Sequence, residues 1–489
     1  MTTPVLDPSL NLVPEKIKTI HFMGIGGVAM GALAGALARR GYAVRGSDNP
    51  LYPPMSTFLE AAGIPVAVGY GPQNLDPAPD LVIVGNVMRR DNPESLALAA
   101  RRLPYLSLPQ ALGHLFISGK TSIVVAGTHG KTTTTALIAS GLLSANRDPG
   151  FLVGGIMLEG GQNFRDGAGA HFVVEGDEYD TAFFDKRPKF VHYQPKIGIL
   201  TSLEFDHADI YADLAAVRRA FAMFVAELPP DGRLIAWGDS AEVLAQARAA
   251  ACPVWTYGQG QACDWRLLSA TPAPGGGARL RVAPPEGPEL DCLTPLPGRH
   301  NALNVVATLA ALVAAGLSPA EAAQAQAGFQ GVKRRQEVRG KAGGVLVVDD
   351  FAHHPTAVRE TLAAIKEFGL PGWSPGAGRL VAAFEPRSNT SRRNVFQADY
   401  AQAFAAADLV FLREPPGMEA VPEAERFSST RLAADLQAQG QDARAFNDGD
   451  ALLAALLAAL RPGDLCLAMS NGGFDNLHAR LLAGLAARA

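Results

Sequence analysis

Strand–helix alternation in three successive blocks predicts an α/β protein of three domains, each built on a mostly parallel, doubly wound sheet. Three observations carry this. At 489 residues the chain is too long for one core and suggests about three domains. Two glycine-rich loops, at residues 24–27 and 127–130, each sit where an apolar strand turns into a helix. A further series of apolar strands (GVLVVDDF, RLVAAFEP, ADLVFL, DLCLAMSNGG) alternates with helical segments after residue 332. The expected domains are 1–118, Rossmann-like; 119–332, a phosphate-loop domain with a parallel sheet; and 333–489, again Rossmann-like.

Composition narrows the class. Hydrophobic content of 48% and charged content of 18% describe a packed globular chain. A net charge of −4 offers no footprint for nucleic acid or an anionic membrane. Cys252, Cys263, Cys292 and Cys466 form no CxxC pair, which suits a reducing compartment. The first residues carry Asp7, Glu15, Lys16 and Lys18 without an apolar core, unlike a signal peptide. The apolar run 451–460 falls far short of the roughly 20 residues of a membrane span. A cytoplasmic protein, monomeric or weakly self-associating, is expected.

In the first block the strand TIHFMGIGG leads into the helix VAMGALAGALARRG and the strand YAVRGSD, with DLVIVGN as a further strand. Gly24, Gly26 and Ala29 form a relaxed dinucleotide-type fingerprint, and Asp48 ends the next strand, where a ribose-binding acid belongs. Such a loop recognises a pyrophosphate, so it fits NAD or another nucleotide diphosphate equally. Small residues there also let a helix pack closely on a strand, and the residues alone leave both readings open.

The second block opens with the strongest signal, AGTHGKTTTT (126–135), between the apolar run SIVVA and the helix ALIASGLL. Gly127, Thr128 and Gly130 would turn backbone N–H groups toward a phosphate at a helix N-terminus. Lys131 would reach the β- and γ-phosphates of a nucleoside triphosphate, and the Thr132 hydroxyl would hold Mg²⁺. Val125 stands where the full phosphate-loop pattern has its first glycine, so Gly127 does the turning. The bland alternative is a threonine-rich helix cap. Residues 258–298, rich in Gly and Pro, read as a small β insertion.

Acid-rich strand ends next to a phosphate loop are where nucleotide enzymes hold Mg²⁺. HFVVEGDEYD brings Glu175, Asp177, Glu178 and Asp180; the strand IGILTSLEFDHAD (197–209) brings Glu204, Asp206, His207 and Asp209. Most of these acids read as solvated loop charges. Glu175 stands apart because it ends an apolar strand. His207 is either a structural histidine or a ligand. An oxidoreductase using NAD would leave the second loop unexplained, whereas a triphosphate-driven reaction on a nucleotide-linked substrate explains both loops.

AGTHGKTTTT, VEGDEYD, LEFDHAD, PGRHNALN (297–304) and VVDDFAHHP (347–355) follow one another as they do in the Mur ligases, which this chain resembles over nearly its whole length. The resemblance implies an ATP-dependent amide-bond enzyme of peptidoglycan metabolism. Its first domain would bind the UDP of UDP-N-acetylmuramate, its second ATP, and its third would close with the amino acceptor. GSDNPLYPPMST (46–57), DEYDTAFFDKRPKFVHY (177–193), FEPRSNT (384–390) and MSNGGFDNLH (469–478) resemble the branch that joins UDP-N-acetylmuramate to a recycled tripeptide, L-Ala-γ-D-Glu-meso-diaminopimelate. The alanine-adding branch is the alternative.

What the resemblance implies can be placed residue by residue. Gly24, Ile25, Gly26, Gly27 and Asp48 would meet UDP. Gly127, Thr128, Gly130, Lys131, Thr132, Thr133, Asn301, Arg335, Asp350 and His353 would meet ATP, with His300 and Asn304 supporting the loop of Asn301. Thr132 and Glu175 would hold one Mg²⁺, and Glu175 with His207 a second. Lys131, Glu175, His207 and Arg335 would serve the reaction, and Arg387 and Asn389 the acceptor. A metal pair of His353 and His354 is not expected, since adjacent side chains diverge. Several Mur ligases use a carbamylated lysine here; no lysine lies between Lys196 and Lys333, so the second site must use His207. Lys186 and Arg187 are open between substrate contact and solvated loop.

Overall fold

The computed structural model describes residues 4–488. In the first large sheet five parallel strands run in the spatial order Val66–Val68, Ala43–Asp48, Thr19–Met23, Leu81–Val84, Tyr105–Ser107. The order reverses between Thr19–Met23 and Leu81–Val84. A crevice therefore opens at their carboxyl ends, and the loop Gly24–Gly27 lies at its edge. The central strand is buried at four of its five positions, as a strand covered on both faces must be. Helix Val28–Arg39 follows the loop and buries Leu33 and Leu37 in the core.

The central sheet has ten strands. Seven neighbours are parallel: Gly150–Leu152, His171–Gly176, Thr121–Ala126, Ile197–Leu200, Arg233–Trp237, Val254–Gly258 and Trp265–Pro272. The segment 258–298 is not a separate insertion. Trp265–Pro272 joins this sheet, and Ala278–Ala283 and Leu290–Thr294 extend it antiparallel. Alternation explains why: Leu280 and Val282 face inward to the same core as Val305 and Leu309, while Arg279 and Arg281 face solvent. Helix Lys131–Ser144 is buried from Thr132 to Leu142 and shares that core with helix Arg299–Ala314.

The strand expected over 197–209 stops at Leu200. Beyond it the chain leaves the ladder and bonds the phosphate loop instead: Thr201 Oγ1 donates to His129 O (2.5 Å), and His129 N donates to Ser202 Oγ (2.8 Å). The third sheet has six strands in the order Glu337–Ala342, Val345–Asp350, Leu465–Ser470, Leu380–Glu385, Leu409–Arg413, Ala443–Phe446. All neighbours are parallel except the first pair.

Candidate active site

Register builds the centre of the site. Thr121–Ala126 lies between His171–Gly176 and Ile197–Leu200, with Val125 opposite Glu175 and Ala126 opposite both Gly176 and Leu200. The ends of all three strands thus converge on the loop. Gly127 has φ +134° and Gly130 φ +80°, backbone that disfavours side chains; a Cβ on Gly130 would come within 2.6 Å of Asn304 Oδ1. Asn304 therefore presses on the loop from helix Arg299–Ala314, as a supporting residue.

Lys131 folds back over its own loop, donating to Gly127 O (2.6 Å) and Thr128 O (3.3 Å) and lying 2.9 Å from Glu178 Oε2. Burial pulls its ammonium pKa down, but Glu178, Glu175 and Asp177 outweigh this and hold it above the usual lysine value. Beside it, Thr132 Oγ1 donates to Glu175 Oε1 (3.1 Å), Gly154 N donates to Glu175 Oε2 (2.9 Å), and Arg335 Nη2 donates to Thr132 Oγ1 (3.1 Å). Burial lifts the Glu175 carboxyl above the ordinary range despite Lys131 and Arg335. A carboxylate short of positive charge next to a hydroxyl fits a divalent cation by hardness and donor type.

One expectation changes here: Glu178 is 2% exposed, not a solvated loop charge, and it pairs with His207 (Nε2 to Oε1, 3.1 Å). Glu178 thus bridges Lys131 and His207. It went unrecognised in the sequence because four acids crowd residues 175–180, and the turn after Gly176 decides which one points inward. Burial pulls the His207 imidazole pKa down, but Glu178 outweighs that and raises it.

Across the cleft, Asn301 Nδ2 donates to Pro297 O (2.8 Å) and Gln336 Oε1 (3.2 Å). Asp350 accepts the N–H groups of Gln336 (2.8 Å) and Ala352 (2.7 Å), so both its oxygens shape the loop. Arg335 lies 4.8 Å from the Phe351 ring centroid. His353 and His354 do diverge: His353 Nδ1 meets Phe351 O (3.0 Å), while His354 caps its helix and meets Phe205 O (3.3 Å).

In the first domain Asp48 Oδ2 accepts Gly26 N–H at 2.6 Å, and its other oxygen accepts the Tyr70 hydroxyl at 2.9 Å. On the third domain Arg387 lies 3.7 Å from Glu385 and remains 43% exposed, open to a ligand. Asn389 Nδ2 donates to Asp209 Oδ2 of the central domain (2.9 Å). Lys186 and Arg187 pair locally with Asp180 and Asp185.

Two strand-to-helix glycine loops, the second furnished with a half-buried lysine, a buried threonine and a buried carboxylate, define a nucleotide-dependent enzyme of three α/β domains. Three family models match in chain order: the Mur ligase family catalytic domain at residues 19–119, the Mur ligase middle domain at 125–312 and the Mur ligase glutamate ligase domain at 334–472. The chain belongs to the Mur ligase family and is an ATP-dependent ligase. It is 40% identical to the UDP-N-acetylmuramate–L-alanyl-γ-D-glutamyl-meso-2,6-diaminoheptandioate ligase of Escherichia coli (strain K12), over 96% of this chain and 99% of that protein. The crystal structure of a murein peptide ligase from Psychrobacter arcticus matches with a TM-score of 0.70 at 34% identity, covering 96% of this chain and 99% of that one. A UDP-N-acetylmuramate–L-alanine ligase of Mycobacterium sp. (strain JLS) is 34% identical over 100% of this chain and 98% of its own. Among the described residues no helix is long and apolar enough to cross a membrane.

Proposed function

We propose that this protein joins the lactyl carboxylate of UDP-N-acetylmuramate to the free amine of L-Ala-γ-D-Glu-meso-diaminopimelate in the cytoplasm, returning a murein tripeptide to synthesis. One contact carries the reading beyond the family. The Tyr179 hydroxyl donates to Asp209 Oδ1 (3.3 Å), whose other oxygen holds Asn389. Tyr179 and Asn389 come from two of the segments that resemble the tripeptide branch, and Asp209 joins them at the mouth of the site.

A carboxylate resists attack by an amine because it is anionic and has no good leaving group. Its oxygen attacks the γ-phosphorus of ATP, ADP departs, and an acyl phosphate forms; the amine then attacks the acyl carbon and phosphate leaves. Lys131 turns from the loop carbonyls to the transferring phosphoryl group, and Glu178 keeps its ammonium charged. Arg335 reaches the same phosphates from the domain junction. Thr132 and Glu175 would hold a Mg²⁺, with His207 toward a second, and bound metal would neutralise phosphate charge. Gly24–Gly27 and Asp48 serve UDP rather than NAD, and Asn301, Asp350 and His353 frame the ATP pocket. Arg387 and Asn389 receive the tripeptide carboxylates, for which a guanidinium is the natural partner. We place the domain boundaries at 118/119 and 332/333.

The test is ADP release with UDP-N-acetylmuramate and either free L-Ala or the tripeptide. Turnover with the tripeptide and little with L-Ala supports the reading; the reverse assigns the alanine branch.

A further inference from the structure

Glu204 has no place in the roles above, yet the phosphate loop and the C-terminal domain meet on it. One oxygen, Oε2, accepts the Thr356 hydroxyl at 2.8 Å and stands 3.1 Å from His129 Nε2. Thr356 lies in the first turn of helix Pro355–Phe368, in the third domain, and His129 lies two residues before Lys131. The backbone of Glu204 also holds the loop: Glu204 N donates to Thr128 Oγ1 (2.9 Å), which donates to Glu204 O (3.2 Å). His354 completes the cluster, its ring centroid 4.7 Å from that of His129 and its Nδ1 3.8 Å from Glu204. His129, Glu204 and His354 offer ligand atoms within 4.8 Å of one another. His354 Nδ1, however, already accepts the Thr356 N–H (3.3 Å), so the group forms a hydrogen-bonded junction rather than an open cation cage.

We propose that Glu204 is a positioning residue that docks helix Pro355–Phe368 onto the phosphate loop and so sets the distance between activated donor and acceptor. The phosphoryl group is handled by the loop, whereas Arg387 and Asn389 ride on the third domain. The amine must come within about 3–3.5 Å of the acyl carbon, and an error near 1 Å costs on the order of a hundredfold. A carboxylate suits the junction because one charged oxygen takes donors from both domains at once. The inference rests on the acceptor assignment above only for its kinetic arm.

The test compares Glu204→Ala, Thr356→Val, their double variant and Thr356→Ser. Glu204→Ala and Thr356→Val should each lower kcat/KM for the tripeptide by roughly ten- to a hundredfold, the weight of one charge-assisted hydrogen bond. KM for UDP-N-acetylmuramate should stay within about twofold. The double variant should be no worse than Glu204→Ala, and Thr356→Ser should restore activity. Small-angle scattering with a non-hydrolysable ATP analogue, which needs no acceptor, should fit the docked structure for the wild type and a more expanded one for both single variants. Wild-type scattering from the variants, additive losses, or a parallel rise in KM for UDP-N-acetylmuramate would overturn the proposal. A wild type inactive with the tripeptide but showing the scattering difference would instead sink only the acceptor assignment.

Discussion

Gly24–Gly27 and Gly127–Gly130 both leave the carboxyl end of a parallel strand and enter a helix, but their surroundings differ in kind. At the first, the Gly26 N–H meets an acid, Asp48, at 2.6 Å, itself held by Tyr70. At the second, Lys131 lies 2.9 Å from Glu178, and Thr132 links Glu175 with Arg335. Backbone amides suffice to hold a pyrophosphate. Moving a phosphoryl group needs fixed charge where negative charge shifts. On the proposed assignment the glycines mark where a nucleotide goes, and the neighbours separate the loop that binds from the loop that reacts.

The largest effect is expected at Lys131. Lys131→Ala should lower kcat by on the order of a thousandfold, read by ADP release; a loss under tenfold would make the second loop another binding loop. Next in size is Arg387→Ala. It should raise the tripeptide KM by about 1.5–3 kcal/mol in free-energy terms, leaving KM for ATP unchanged, and an unmoved tripeptide KM removes Arg387 from the acceptor site.

Gly26→Ala tests the first loop. Its Cβ would come 2.2 Å from Leu51 Cδ2 and 2.8 Å from Asp48 Oδ2. Forced movement there should weaken UDP-N-acetylmuramate binding by about 1–3 kcal/mol, while KM for ATP holds. If both constants shift together, the loops do not act separately.

The smallest effect is on stability. Burial pushes the His354 pKa down from 6.5 to about 4. Between pH 6.5 and 4 the unfolded chain therefore binds more protons at this site than the folded one, and stability falls as pH falls through that window. His354→Asn, which keeps an N-cap, should flatten the slope of Tm against pH between 6.5 and 4. An unchanged slope would show that His354 already titrates normally in the folded protein.

Much of this was legible in the sequence, for reasons tied to local pattern. AGTHGKTTTT announces strand, turn and helix within ten residues, and Glu175 ends an apolar run. What escaped depended on geometry beyond the local chain. Glu178 is selected from its acidic neighbours by one turn, and the Glu204–Thr356 bond spans 152 residues. Residues 201–206 looked like strand because they are partly apolar, but past Thr201 the backbone of Ser202 and Glu204 bonds Thr128 of the phosphate loop instead of a neighbouring strand. The Gly/Pro-rich segment read as an insertion because its turns are frequent; its inward Leu and Val residues tie it to the central core.

On the proposed function the two loops serve two different nucleotides in separate domains. Calorimetric titration of UDP-N-acetylmuramate into wild-type protein and Lys131→Ala tests it most directly. Dissociation constants should agree within about twofold, since Lys131 and Gly24–Gly27 follow strands of different sheets. Loss of UDP-N-acetylmuramate binding in a folded Lys131→Ala protein, or tight binding of NAD in its place, would contradict it.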